Sequence, residues 1–108
     1  MPISPTPKPP YYAVIFTSQL SDKGTEAYGK MAEQMVKLAQ EQPGFLGVES
    51  ARDAVGFGIT VSYWDSEEAI RRWKEDSRHK VAQDKGRTEW YDQFFTRVCL
   101  VERDYGKR

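Results

Sequence analysis

The chain is poor in reactive side chains and has no net charge. It holds one cysteine, Cys99, and one histidine, His79. A lone cysteine excludes an internal disulfide and a thiolate metal cluster. It fits a reducing compartment, so a cytoplasmic protein is expected. Lys plus Arg and Asp plus Glu both total 16, giving a formal charge of zero. Neutralising phosphates needs a basic face, so a nucleic-acid partner is not expected. The longest apolar run, Tyr11 to Phe16, is far below the roughly 20 residues that cross a bilayer. The amino terminus also lacks the apolar core of a signal peptide, and no membrane partner is expected. There is no glycine-rich phosphate loop, metal-ligand spacing or nucleophile–base motif. Flavin, nicotinamide and bound metal therefore have no support in the sequence. At 108 residues the chain makes one domain with a modest core.

What is present is concentrated. All three tryptophans, Trp64, Trp73 and Trp90, fall between Tyr63 and Tyr91, together with His79. That stretch is also heavily charged, and a core alone does not call for three indoles there. It marks the expected pocket. Elsewhere, Pro2, Pro5, Pro7, Pro9 and Pro10 crowd the first ten residues. Proline fixes φ and lacks a donor, so residues 1–10 read as an extended, disordered arm before a domain at 11–105.

The periodicity alternates between strand and helix. Tyr11–Ser18 is aromatic and β-branched and reads as a strand. From Asp22 to Gln42, Tyr28, Met31, Met35 and Leu38 recur at helical spacing, until Pro43-Gly44 stops the helix. Phe45–Ala51 and Phe57–Trp64 read as strands. The second of these alternates Phe57, Ile59, Val61 and Tyr63 with Gly58, Thr60, Ser62 and Trp64. Ser66 caps a second helix with Ala69, Ile70 and Trp73 on its inner face. Asp76-Ser77 reads as a fresh cap, so a break and a further helix are expected there. His79, Gln83, Gly86 and Trp90 would stack on one face of that helix. Phe95–Tyr105 is the last strand.

The order is β-α-β-β-α-β, an α+β ferredoxin-like fold with a four-stranded antiparallel sheet and helices on one side. The first and last strands are apolar on both faces, so both sheet faces need cover. A second copy about a two-fold axis is the expected cover, and a homodimer follows.

Several strings resemble the antibiotic biosynthesis monooxygenase family of dimeric α+β barrels. They are Pro43-Gly44-Phe45-Leu46-Gly47-Val48-Glu49, then Tyr63-Trp64-Asp65-Ser66-Glu67-Glu68-Ala69, then Trp73 with His79 after it. Gly86-Arg87, Trp90-Tyr91 and Val101-Glu102-Arg103-Asp104-Tyr105 complete the resemblance over about residues 11–105. It implies a dimeric barrel and an oxygenase that acts on a small planar aromatic substrate without a cofactor. The alternatives it implies are a non-catalytic binding or stress-associated dimer, and a haem-binding or haem-degrading protein. In the haem-degrading branch an Asn ends the first strand, and a His follows the helical Trp by ten residues. Here Trp73 matches the Trp, Gln83 stands at the His and Thr17 at the Asn, so the ligand pattern does not support haem.

The expected site has His79 as base and only side chain titrating near neutrality. Trp73, Trp90, Tyr63, Gln83 and Thr17 would line it for the aromatic ligand. Each has a plainer reading. His79 can be a half-exposed helical residue, and the tryptophans can fill the gap between helix and sheet. Tyr91 and Thr60 or Ser62 can add hydroxyls to a cleft. Glu49 is expected to pair with Arg97 or Arg103, and Cys99 to be a buried small hydrophobe.

Overall fold

The computed structural model describes residues 3–22, 25–83 and 91–108, with helical residues 25–32 and 78–83 placed by their backbone. Its elements are β1 (Tyr11–Leu20), α1 (Thr25–Gln40), β2 (Phe45–Arg52), β3 (Phe57–Trp64), α2 (Glu67–Gln83) and β4 (Tyr91–Val101). The strands form one antiparallel sheet in the order β2-β3-β1-β4. This is the expected ferredoxin-like α+β arrangement.

Local chemistry sets the joints. The Ser66 hydroxyl accepts from the Ala69 backbone N–H at 3.1 Å and starts α2, with Glu67 and Glu68 in its first turn. Gly44 takes φ 91° between α1 and β2. A side chain there would also run into Ala69 Cβ at 2.7 Å, so α1 and α2 close on one another at that point. In the β2–β3 hairpin, Asp53 Oδ1 accepts from the backbone N–H of Val55 at 3.0 Å and of Phe57 at 2.9 Å. Gly56 supplies the positive φ this turn needs.

Two expectations are corrected here. α2 does not break at Asp76-Ser77. The Ser77 hydroxyl donates to the Lys74 carbonyl at 2.9 Å, one turn back, so it joins the helix rather than capping a new one. The last strand begins at Tyr91 and ends at Val101, four residues earlier than expected at each end. Its amino-terminal part is held by β1, through the pairs Ser18 with Phe94 and Gln19 with Gln93.

Register decides the faces. Val14 lies opposite Ser62 on one side and Val98 on the other, while Ala13 lies opposite Tyr63 and Cys99. Successive side chains alternate, so Tyr12, Val14, Phe16 and Ser18 share a face with Ser62 and Trp64. The helices cover that face. Val14, Ala39, Trp64, Ala69 and Ile70 form the core, with Tyr12, Phe45 and Trp73 packed against it. Trp64 is fully buried, and its Nε1 donates to the Ser62 hydroxyl at 2.9 Å.

The opposite face carries the more apolar set of β3 residues. Phe57 is 45% exposed, Ile59 43% and Phe95 of β4 61%, with no described element over them. Cys99 is half-buried on this face rather than enclosed. Glu49, on the same face, has no arginine partner among the described residues. Its carboxylate accepts from the Tyr63 hydroxyl at 2.8 Å and from the Ser4 backbone N–H at 2.9 Å. The proline-rich segment, expected as a loose arm, thus makes a specific contact: Ser4 is buried against β2.

Candidate functional site

The helix-facing side of the sheet holds the candidate site, and it has two parts. At one end Trp73 of α2 rests against Trp64 with ring centroids 5.6 Å apart, and Phe45 meets the other side of Trp64 at 5.5 Å. The Trp73 Nε1 atom is buried and has no hydrogen-bond partner among the described residues. Burying such a donor unpaired costs about 1–3 kcal/mol, so a site that does so has a use for it.

At the other end three rings gather where β1 meets β4. Phe16 lies 5.5 Å from Tyr91 and 5.9 Å from Phe94, and Tyr91 and Phe94 are 5.8 Å apart. Phe16 is also flanked in register by Thr60 and Thr96. Thr60 shares a hydrogen bond with Ser50 at 2.9 Å. A row of hydroxyls therefore runs beside a patch of rings. Phe94 is 54% exposed, so this floor is open rather than filled. Below it, Arg52 closes the sheet end. Its guanidinium donates to the Gly56 carbonyl, the Ser18 carbonyl and the Ser18 hydroxyl. The floor is thus aromatic and hydroxylated, and its one described arginine is held by its own sheet. Such a surface suits a flat ligand with a few oxygens.

The residues expected from the sequence divide three ways. Trp73 is in place. Tyr63 and Thr17 are on the opposite face: Tyr63 pairs with Ala13, and Thr17 pairs with Ile59 and Phe95. Strand pleating puts each of them one residue out of phase with the Trp64 face. Trp90 lies outside the described residues, as do the side chains of His79 and Gln83. Glu68 and Arg72 form an exposed ion pair at 2.9 Å, which marks the solvent-facing stripe of α2. Trp73 belongs to the other stripe, with Ala69 and Ile70.

Phe16, Phe94, Ser50 and Thr96 were missed. Each is ordinary for a strand, and only the cross-strand register brings them together. Among the described residues no group of three or more His, Cys, Asp or Glu could hold a metal. Among the described residues, no helix is long and apolar enough to cross a membrane.

Tyr63 has a role on its own face. Burial first, and the bond to the Glu49 carboxylate second, push its hydroxyl up to about 12. Folding therefore favours the neutral phenol. This contribution is complete below the unfolded value of about 10 and is lost as pH rises through about 12. Urea midpoints measured across that window should fall less steeply for Tyr63→Phe than for the parent chain. Equal slopes would mean that another group governs the alkaline limb.

Comparison with known proteins agrees with this fold. The family described as "Antibiotic biosynthesis monooxygenase" matches residues 11–85. The chain is 56% identical over 101 residues to "Uncharacterized protein YqjZ" of Bacillus subtilis (strain 168), covering 94% of this chain and 88% of that one. It is 27% identical over 94 residues to "Jasmonate monooxygenase ABM" of Pyricularia oryzae, covering 83% of this chain but only 43% of that protein. Among solved structures, SnoaB, a cofactor-independent oxygenase from Streptomyces nogalater, superposes with a TM-score of 0.73. The match covers 92% of this chain and all of SnoaB at 9% identity, a likeness of fold alone. With its family match, its β-α-β-β-α-β order and its helix-facing site, the chain belongs to the antibiotic biosynthesis monooxygenase family.

Proposed function

We propose that this protein is an oxygenase that acts on a small planar aromatic compound with no bound cofactor. The buried, unpaired Trp73 indole N–H carries this reading. It is a donor without an acceptor among the described residues, on the same sheet face as the rings and hydroxyls. The flat substrate rests on Phe16, Tyr91 and Phe94, with its oxygens along Ser50, Thr60 and Thr96. One phenolic or carbonyl oxygen accepts from Trp73.

The reaction then follows from the substrate's acidity. A ring CH2 beside a carbonyl loses one proton to solvent, and Trp73 stabilises the charge that moves onto oxygen. The anion passes one electron to dioxygen, and the two radicals join in a C–O bond. The hydroperoxide takes up a proton and loses water, so CH2 becomes C=O. One atom of O2 enters the product and the other leaves as water. The protein supplies orientation and exclusion of water. Gln83 stands where a haem ligand would be needed, so no step runs through haem. A second copy lying over Phe57, Ile59 and Phe95 completes the proposed assembly as a homodimer.

His79 is the base expected from the sequence; its side chain lies outside the described residues, and the step proposed here does not use it. The decisive experiment is oxygen uptake by the purified protein with a panel of polycyclic phenols and quinols, alongside a haemin titration. Uptake above background, with water and a ketone or quinone as products, is expected. Ligand binding without uptake would leave a binding module instead, and a Soret shift on adding haemin would favour a haem protein. His79→Ala should retain turnover within about threefold, whereas a loss beyond about a hundredfold would return the base to His79.

A further inference from the structure

The sheet has two edges, β2 and β4, and they are treated differently. β4 is an eleven-residue strand with Phe94, Val98 and Leu100 exposed on the helix-facing side of the pleat and Phe95 on the other. β2 is closed by the chain's own amino terminus. Ser4 is 6% exposed, its backbone N–H donates to Glu49 Oε2 at 2.9 Å, and its hydroxyl donates to the Val48 carbonyl at 3.3 Å. The fit is close. A side chain at Gly47 would stand 2.6 Å from both Cβ and Oγ of Ser4. The arm is also tied to the carboxyl-terminal tail. Arg108 Nη2 donates to the Thr6 hydroxyl at 3.0 Å, and Tyr11, at the arm's end, donates its hydroxyl to Asp104 Oδ2 at 2.6 Å.

We propose that the amino-terminal arm, residues 3–10, is an intramolecular edge cap: it occupies β2 so that β4 of another copy cannot add there. An uncapped edge strand is a template for pairing. Pairing of β4 in one copy with β2 in the next would be heterologous. Each addition would expose a fresh β2, and growth would not close. With β2 capped, copies can meet only through β4 and the bare sheet face, contacts that can close about a two-fold axis. The arm thus separates a closed assembly from an open one. It needs no helix-facing site, so this inference stands apart from the proposed oxygenase activity.

Light scattering coupled to size exclusion, over a range of concentrations, tests it. The full-length chain should give one closed species. A chain lacking residues 1–9, and full-length Gly47→Ala, which displaces Ser4, should both grow with concentration to at least about twofold higher mean mass. Adding Val98→Lys, a charge on the β4 edge, should bring the truncated chain back to the full-length size. Circular dichroism checks that each variant is folded; if truncation unfolds the chain, Gly47→Ala decides. Variants that keep the full-length size distribution overturn the proposal, as does growth that Val98→Lys leaves unchanged.

Discussion

Trp73→Phe should lower oxygen uptake by about a hundredfold while leaving the melting temperature unchanged or slightly raised. The substitution keeps a ring against Trp64, where the centroids are 5.6 Å apart, and removes only the indole N–H and part of the ring area. Loss of one donor aimed at a developing negative charge costs about 2.7–4 kcal/mol in comparable sites, which is a factor of 10² to 10³ in rate. Stability responds differently. The donor has no partner among the described residues, so removing it relieves a desolvation cost of about 1–3 kcal/mol. The smaller phenyl gives some of that back as lost packing. A donor with a purely structural role would show the reverse pattern, with activity kept and stability lost. Activity assays and thermal melts on the same preparation separate the two. Trp73→Phe with full turnover would remove the central support for the proposed function.

Trp64→Ala should produce the largest loss of stability in the chain. Trp64 is 0% exposed, and its ring joins Phe45, Trp73 and the Val14–Ala69–Ile70 core. Truncating a buried tryptophan costs about 3–5 kcal/mol, from lost transfer energy and from the cavity left behind. The Ser62 hydroxyl also loses the indole donor it accepts from at 2.9 Å. Small domains hold about 5–15 kcal/mol in total, so the variant should melt about 15 °C or more below the parent. Trp64→Phe keeps most of the bulk, and its loss should be less than half as large. Both follow from melts monitored by circular dichroism. A shift under about 5 °C for Trp64→Ala would show that the core is built elsewhere.

Trp64 also shows how a residue's meaning changes between one dimension and three. Alternation puts it with Gly58, Thr60 and Ser62 on the less apolar side of its strand, yet it is the centre of the core. The hydrophobic face of β3 explains the difference. Phe57, Ile59, Val61 and Tyr63 are the more apolar set, but the helices cover the other set, where Ser62 is satisfied by Trp64. One indole supplies the bulk that the small residues Gly58, Thr60 and Ser62 lack.

The sequence by itself determined the elements and their order. Those depend on local periodicity, on the Ser66 cap and on the stops at Pro43-Gly44 and Gly56, which a chain carries in its nearest neighbours. It also marked Trp73, because an indole on a helix's inner face is distinctive wherever it occurs. Only the tertiary structure decided which faces meet. Antiparallel register put Phe16 beside Phe94, Thr60 and Thr96, and sent Thr17 and Tyr63 to the far side of the sheet. A shift of one residue along a strand reverses its faces, and no local pattern records the register of a distant partner. The continuity of α2 was likewise a matter of structure: the Ser77 hydroxyl bonds back to the Lys74 carbonyl instead of capping a new helix. The arm was the least legible element of all. Its prolines read as disorder, and the carboxylate and carbonyl that hold Ser4 lie more than forty residues away in sequence.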